Sequence, residues 1–246
     1  VNLPLLDQQN GTCAPARHAE AVHERAQPHR IVAWALERFA NWRIVVTTGF
    51  GMEGCALIDM IARTGYALDV TYLDTHFFFP ETHDLRERLA QCYPRIGFVN
   101  AGSSLTPEQQ AEQYGPQLWR CDPDTCCRLR KVEPMRRLLS DADVWMTGIR
   151  RDQSPARANT RTIEWDWQFN VLKISPLAYW TRSDVWSYIR QHNVPYNELH
   201  DRGYPSIGCT HCTEPIPGAT ITDYSRDGRW SGTGKTECGL HAGEGI

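Results

Sequence analysis

The sequence has 246 residues, 41% of them hydrophobic and 22% charged, enough for one generous α/β domain or for one domain with an appendage. A formal net charge of −3 excludes nucleic acid as the principal partner, because a strong phosphate-backbone binder carries a basic excess, so any anion site has to be local. No apolar run approaches a membrane span and no basic segment followed by an apolar one opens the sequence, so the expected location is the cytoplasm, with no membrane partner.

Residues 1–28 are polar and alanine-rich and are expected to form a loosely docked helical arm. From Arg30 to Trp42, the apolar residues Ile31, Trp34, Ala35, Phe39 and Trp42 fall near helical spacing, which predicts a helix with one face on the core. The period then changes. Ile44 to Thr47 is a short β-branched run, followed by Thr48-Gly49-Phe50-Gly51 and an amphipathic stretch with Leu57, Met60 and Ile61. Strand, glycine turn and helix in that order offer backbone N–H groups and a helix N-terminus to an anion, although an ordinary βα turn has the same pattern. Ala67 to Leu73 reads as a second strand, whose end puts Asp74 and Thr75 where parallel sheets bind nucleotides. Pro80-Glu81-Thr82 opens a further helix, and Ile96 to Asn100 is a third strand. Strands alternating with helices predict an α/β fold with a doubly wound, mainly parallel sheet.

Nine cysteines, an odd number without a secretion signal, point to metal binding or catalysis before disulfides. Cys13, Cys55, Cys92 and Cys121 have no partner spacing and are expected to be structural thiols. Cys126 and Cys127 are adjacent, and adjacent side chains on regular backbone diverge, so both ligate one centre only if that centre is large or the backbone bends. An iron–sulfur cluster tolerates this better than a zinc ion. Arg128, Arg130 and Lys131 follow within about a turn of helix to offset the charge of four thiolates. Cys209 and Cys212 form a C-x-x-C that completes a set of four; the same set also makes a structural zinc site, and His211 in place of one cysteine is the less favoured variant.

Between the two pairs, the strand Val144 to Thr147 ends in a loop carrying Arg150, Arg151 and Arg157, which suits bidentate capture of phosphate or sulfate. Trp165 and Trp167 lie in a hairpin turning near Asn170 and read as packing, and Thr181 caps a helix with Val185, Trp186 and Ile189. Arg226, Arg229 and Lys235 lead to Cys238, alone in a tail rich in Gly, Ser and Thr that neither core nor helix is expected to hold. A thiolate that must reach a substrate and then be reached by a second protein belongs on a mobile, exposed tail.

In order, Thr-Thr-Gly-Phe-Gly, Leu-Asp-Thr, Pro-Glu-Thr, Cys-Cys-x-x-Arg-Lys-Val-Glu-Pro, Gly-Ile-Arg-Arg-Asp-Gln-Ser-Pro-x-Arg, C-x-x-C, Gly-Arg-Trp and Glu-Cys-Gly-Leu-His resemble the assimilatory adenylyl-sulfate reductases, from about residue 44 to His241. These are the iron–sulfur branch of the phosphoadenylyl-sulfate reductase family. The resemblance implies an adenine-nucleotide α-hydrolase-like fold binding adenosine 5'-phosphosulfate. Thr47, Thr48, Gly49 and Phe50 would line the pocket, with Leu73 near the adenine, and Arg150, Arg157, Arg226 and Arg229 would meet the phosphosulfate. Cys126, Cys127, Cys209 and Cys212 would hold a 4Fe-4S cluster, with Lys131 paired to it and to the substrate. Cys238 would attack the sulfate sulfur, expel AMP and be discharged by thioredoxin, releasing sulfite. The expected organisation is an arm (1–28), a nucleotide-binding domain with the cluster (29–220) and a catalytic tail (221–246), and a homo-oligomer is compatible with it. Phosphoadenylyl-sulfate reductase, the same chemistry on a 3'-phosphorylated substrate, is the near alternative, although its enzymes usually lack the four cysteines. A zinc-stabilised binding module and an ATP-using ligase are distant ones, and the ligase leaves Cys238 without a duty.

Overall fold

The computed structural model describes residues 6–7, 12–13, 26–223 and 226–241, the first two pairs as backbone alone. Leu6–Asp7 (β1) and Thr12–Cys13 (β2) pair antiparallel, so this part of the arm is a ladder and not the predicted helix. The intervening Asn10-Gly11 is a hairpin-turn sequence, a signal that outweighs the alanine content around it. The rest of the arm before Ala26 lies outside the described residues.

Six strands form the main sheet: Ile44–Thr48 (β3), Leu68–Tyr72 (β4), Ile96–Asn100 (β5), Val144–Thr147 (β6), Ile163–Asp166 (β7) and Val171–Ile174 (β8). Their order is β5-β4-β3-β6-β8-β7, parallel throughout except for the β7–β8 pair. Successive residues of the central strands point to opposite faces. Val46, Val144 and Met146 join the larger apolar core, while Val45 and Trp145 join a second one. Burial on both faces explains the unbroken apolar runs that mark these strands in the sequence.

The larger core is closed by helices Pro28–Arg38 (α1), Met52–Arg63 (α2), Pro80–Cys92 (α3) and Arg182–His192 (α8), through residues such as Ile31, Leu57, Leu85 and Val185. Three further helices, Pro107–Tyr114 (α4), Leu118–Cys121 (α5) and Pro123–Cys127 (α6), precede Glu133–Leu139 (α7), whose Met135 and Leu139 cover the second core. Helices on both faces make the sheet doubly wound, in agreement with the sequence reading. Thr181 caps α8 by accepting from the Asp184 N–H at 3.2 Å.

Three smaller expectations are corrected. Phe50 adopts a left-handed φ of +58° and turns into the core against Tyr72, Phe78 and Phe98, so it does not face a ligand. Trp167 is 58% exposed at the β7–β8 turn and packs edge-on against Trp165, 6.3 Å between centroids, while only Trp165 reaches the core. Cys92 and Cys121 are exposed, each closing its helix on the solvent side, and of the unpaired thiols with described side chains only Cys55 is buried.

A buried carboxylate fastens the helical layer. Asp59 on α2 is 3% exposed and accepts from the Tyr93 and Tyr188 hydroxyls at 3.0 and 2.6 Å and from Arg63 Nε at 2.6 Å. Asp59→Ala strands two phenol donors and is expected to destabilise the fold by about 2–4 kcal/mol, read as a lower urea midpoint at unchanged slope.

Candidate functional site

The chain leaves β3 in one direction through β4 to β5, and in the other through β6 to β8, so the switch point lies between β3 and β6. Crevices form beyond the carboxyl ends of strands at such a point. Here the crevice is a cavity of about 240 Å³ lined by Thr47 and Thr48 at the end of β3 and Gly49 after it, by Leu73 and Thr75 after β4, and by Gly148 after β6. Gly148 packs closely there, since a Cβ would stand 3.0 Å from the Glu53 backbone at the start of α2 and the neighbour would have to give way. Thr47 is fixed by accepting from Trp145 Nε1 at 2.7 Å, and Thr48 by accepting from the Phe50 N–H at 3.0 Å.

Of the arginines that the sequence singles out, Arg157, Arg226 and Arg229 line the cavity, and Arg150 does not. Arg150 is fully buried, with Nε and Nη2 on Glu53 Oε1 at 3.0 and 2.9 Å and Nη1 on Asp152. Its place after a strand reads as an anion loop, but two carboxylates claim the guanidinium. Arg229 donates to the Cys212 carbonyl at 3.0 Å and stacks on Trp230, 4.4 Å from the ring centroid. Asp74 spends its carboxylate on the His76 N–H at 2.7 Å and stays outside the cavity. Sequence reasoning missed Glu53, Arg182 and His200, which line it too. Burial, then Arg182, depresses the His200 imidazole to about 4, so its ring is neutral. Nothing in their local sequence marks them, because only the tertiary fold brings these segments together.

The four paired cysteines converge from two segments. Cys126, Cys127, Cys209 and Cys212 are buried and free, and they line a small pocket with Phe77, Trp119, Arg130 and Lys131. A π-helical turn over Arg128–Val132 follows the adjacent pair. Pro134 has no N–H to give the Arg130 carbonyl, so the regular helical ladder is interrupted just after the helix that carries the pair. Burial, followed by the neighbouring thiols, pushes Cys126 up to about 12, and burial with Cys209 pushes Cys212 up to about 11. Cys126 and Cys212 therefore hold their protons unless a metal centre displaces them.

No set of three or more His, Cys, Asp or Glu among the described residues is placed to hold a single metal ion. The donor set still suits a metal–sulfur cluster: four thiols ring one pocket, and Arg130 Nη2 is buried at its wall without a hydrogen-bond acceptor. His211 is not among the pocket-lining residues; it is exposed and stacks on Trp119 at 4.0 Å between centroids, with Phe77 edge-on to both rings. Arg128 turns outward to Glu133, leaving Arg130 and Lys131 as the basic residues of that segment at the thiols.

Lys131 and Cys209 line both the cavity and the thiol pocket. The tail closes the same wall. Cys238 packs with Phe77, Cys127, Cys209, Cys212 and Trp230, and Leu240 with the second core. Docked in this way, the thiol is not in the open segment that the tail's composition suggests. Burial alone would raise the Cys238 thiol, but Lys131, the Leu240 N–H and Arg157 together bring it below the ordinary cysteine value. Burial works against the Lys131 charge as well, and the sulfurs of Cys209, Cys238 and Cys127 hold it above the ordinary lysine range. His241 stacks on Trp145 at 5.2 Å and is kept neutral by burial and by Arg157, so it adds no positive charge beside Cys238. A lowered-pKa thiol, an ammonium and four arginines around a cavity at a nucleotide-binding edge can carry out nucleophilic attack on an anionic group.

Residues 43–215 match the phosphoadenosine phosphosulfate reductase domain. A Lysinibacillus sphaericus protein named adenosine 5'-phosphosulfate reductase is 46% identical over 211 residues, 86% of this chain and 89% of that one. One of the same name from Staphylococcus epidermidis is 45% identical over 216 residues, 88% of this chain and 87% of that one. Among solved structures, phosphoadenylyl-sulfate reductase from Candida auris, in a phosphate complex, aligns with a TM-score of 0.71 at 31% identity, covering 85% of this chain and 98% of that one. FMN adenylyltransferase from Candida glabrata aligns at 0.56 with 18% identity, over 87% of this chain and 68% of that one, which shows a common fold alone. The domain match and these identities over most of the chain make it an enzyme of the phosphoadenosine phosphosulfate reductase domain family.

Proposed function

We propose that the chain reduces adenosine 5'-phosphosulfate to sulfite and AMP, with Cys238 as the nucleophile and thioredoxin as the dithiol donor. The observation that carries this reading is the docked Cys238, its thiol acidified by Lys131 at the edge of the nucleotide cavity. The names of the relatives from Lysinibacillus and Staphylococcus favour the unphosphorylated nucleotide, while that of the Candida auris protein favours the 3'-phosphorylated one at lower identity.

In the first step the Cys238 thiolate forms a bond to the sulfate sulfur, the bond from sulfur to the bridging oxygen breaks, and AMP leaves with the electron pair. Lys131, Arg157, Arg226 and Arg229 supply positive charge near the oxygens on which charge develops. Thr47, Thr48, Gly49 and Leu73 form the nucleotide's wall. In the second step a thioredoxin thiolate attacks the Cys238 sulfur and expels sulfite, and the second thioredoxin thiol resolves the mixed disulfide, so both electrons come from the dithiol. For this exchange the tail leaves its docked position. Cys126, Cys127, Cys209 and Cys212 would hold a 4Fe-4S cluster, which when bound supplies a fixed centre of charge next to Lys131 and carries no electrons here.

Sulfite release with reduced thioredoxin, measured on both sulfonucleotides, tests the reading; release from the 3'-phosphorylated one alone would transfer it to that substrate. Cys238→Ser is expected to abolish release while AMP affinity and iron content stay at the wild-type level, and loss of iron would contradict the separation of the two sites. Lys131→Ala is expected to lower kcat by about 100-fold, and an unchanged kcat would exclude its part in the chemistry.

A further inference from the structure

Glu237, the residue before the nucleophile, is the most firmly held side chain of the tail. Its Oε1 accepts from Ser154 Oγ at 2.7 Å and from Arg157 Nε at 3.1 Å; its Oε2 accepts from Arg157 Nη2 at 2.8 Å and from Arg226 Nη2 at 3.3 Å. The Arg157 and Glu237 side chains are 8% and 10% exposed, so this is a sheltered fork-to-fork pair and not a solvated surface contact. The third guanidinium nitrogen of Arg157 donates to Gln153 Oε1 at 2.6 Å. Each nitrogen of an arginine that the sequence assigns to the phosphosulfate thus already has an acceptor, and two of them serve the tail.

We propose that Glu237 is the positioning residue for Cys238, and that Arg157, Arg226 and Ser154 form its receptor. The proposal rests on the reading of Cys238 as nucleophile and deepens it. On the other side of the cysteine, Gln168 Nε2 donates to the Gly239 carbonyl at 2.9 Å and Leu240 packs into the second core. Gly239, at φ +87°, takes the backbone through a left-handed turn between these anchors. The nucleophile is suspended between a carboxylate clamp and an apolar plug, and it faces Lys131 because both ends are fixed. The clamp also defines the charge that an entering anion meets. Arg157 and Arg226 are partly neutralised by Glu237, whereas Lys131 has no carboxylate partner among the described residues.

The clamp is read by tryptic cleavage after Lys235 in the anaerobically isolated full-length chain without nucleotide, followed as release of the 236–246 fragment. Each rate is referred to the same bond in the urea-unfolded chain, because the substitution lies close to the cut. Glu237→Gln and Arg157→Gln are each expected to accelerate release at least about tenfold, the loss of a charged hydrogen-bonded pair, and the double variant to go no faster than Glu237→Gln. In sulfite release, Glu237→Gln is expected to lower kcat about tenfold or more with KM changed less than about twofold. Unchanged cleavage in Glu237→Gln would overturn the proposal. So would faster cleavage at an unchanged kcat, which leaves a fastener without a positioning role. Unchanged cleavage in Arg157→Gln with a raised KM would leave that arginine to the nucleotide alone and overturn its place in the clamp. Absence of turnover in the wild type would count against the sulfonucleotide reading, while the cleavage pattern would still decide the clamp.

Discussion

The positive charge of Lys131 is the constraint on which the site is built. A buried ammonium is costly unless opposite charge stands beside it. Among the described residues its neighbours of opposite potential charge are the sulfurs of Cys209, Cys238 and Cys127, not a carboxylate. The dependence runs both ways, because Lys131 is foremost among the influences that bring the Cys238 thiol down against its own burial. One lysine therefore ties the tail, the thiol pocket and the cavity to each other. It reaches them because it sits on the π-helical turn between the adjacent cysteines and α7, on the wall shared by pocket and cavity.

The tail adds a second electrostatic balance on top of this one. Glu237 lies below its ordinary carboxylate value, since Arg157 and Arg226 outweigh the effect of burial. Arg157 therefore serves twice, holding the tail through Glu237 and adding to the effect of Lys131 on its thiol, whereas Arg226 pairs with Glu237. A tail held by ion pairs, a few polar contacts and one leucine can dock firmly and still release, because the charged and polar groups have water as an alternative partner outside the site. A thiol that alternates between a nucleotide cavity and a second protein needs that combination.

Much of this was legible in the sequence, for stated physical reasons. Strands buried on both faces appear as short apolar runs, so β3 and β6 are readable to within a residue, and the edge strand β5 is marked by Ile96, Phe98 and Val99. The adjacent cysteines mark a shared centre by their spacing to the C-x-x-C, and Pro134, seven residues after Cys127, breaks the helical ladder that follows them. Arg150 and Phe50 misled because a place on a strand-end loop says nothing about direction; Glu53 and Asp152 claim one side chain and an aromatic core claims the other. The tail was the hardest segment to read. Its Gly, Ser and Thr residues describe a chain without regular structure, yet Glu237, Gly239 and Leu240 anchor it through contacts to residues more than seventy positions away.

Mass analysis of the anaerobically prepared chain after mixing with adenosine 5'-phosphosulfate, with no reductant present, tests the central claim most directly. The account predicts a gain of one SO3 group located on Cys238, formed faster than with the 3'-phosphorylated nucleotide and discharged by reduced thioredoxin. Retention of the unmodified mass with both nucleotides, in protein that carries its iron, would contradict it.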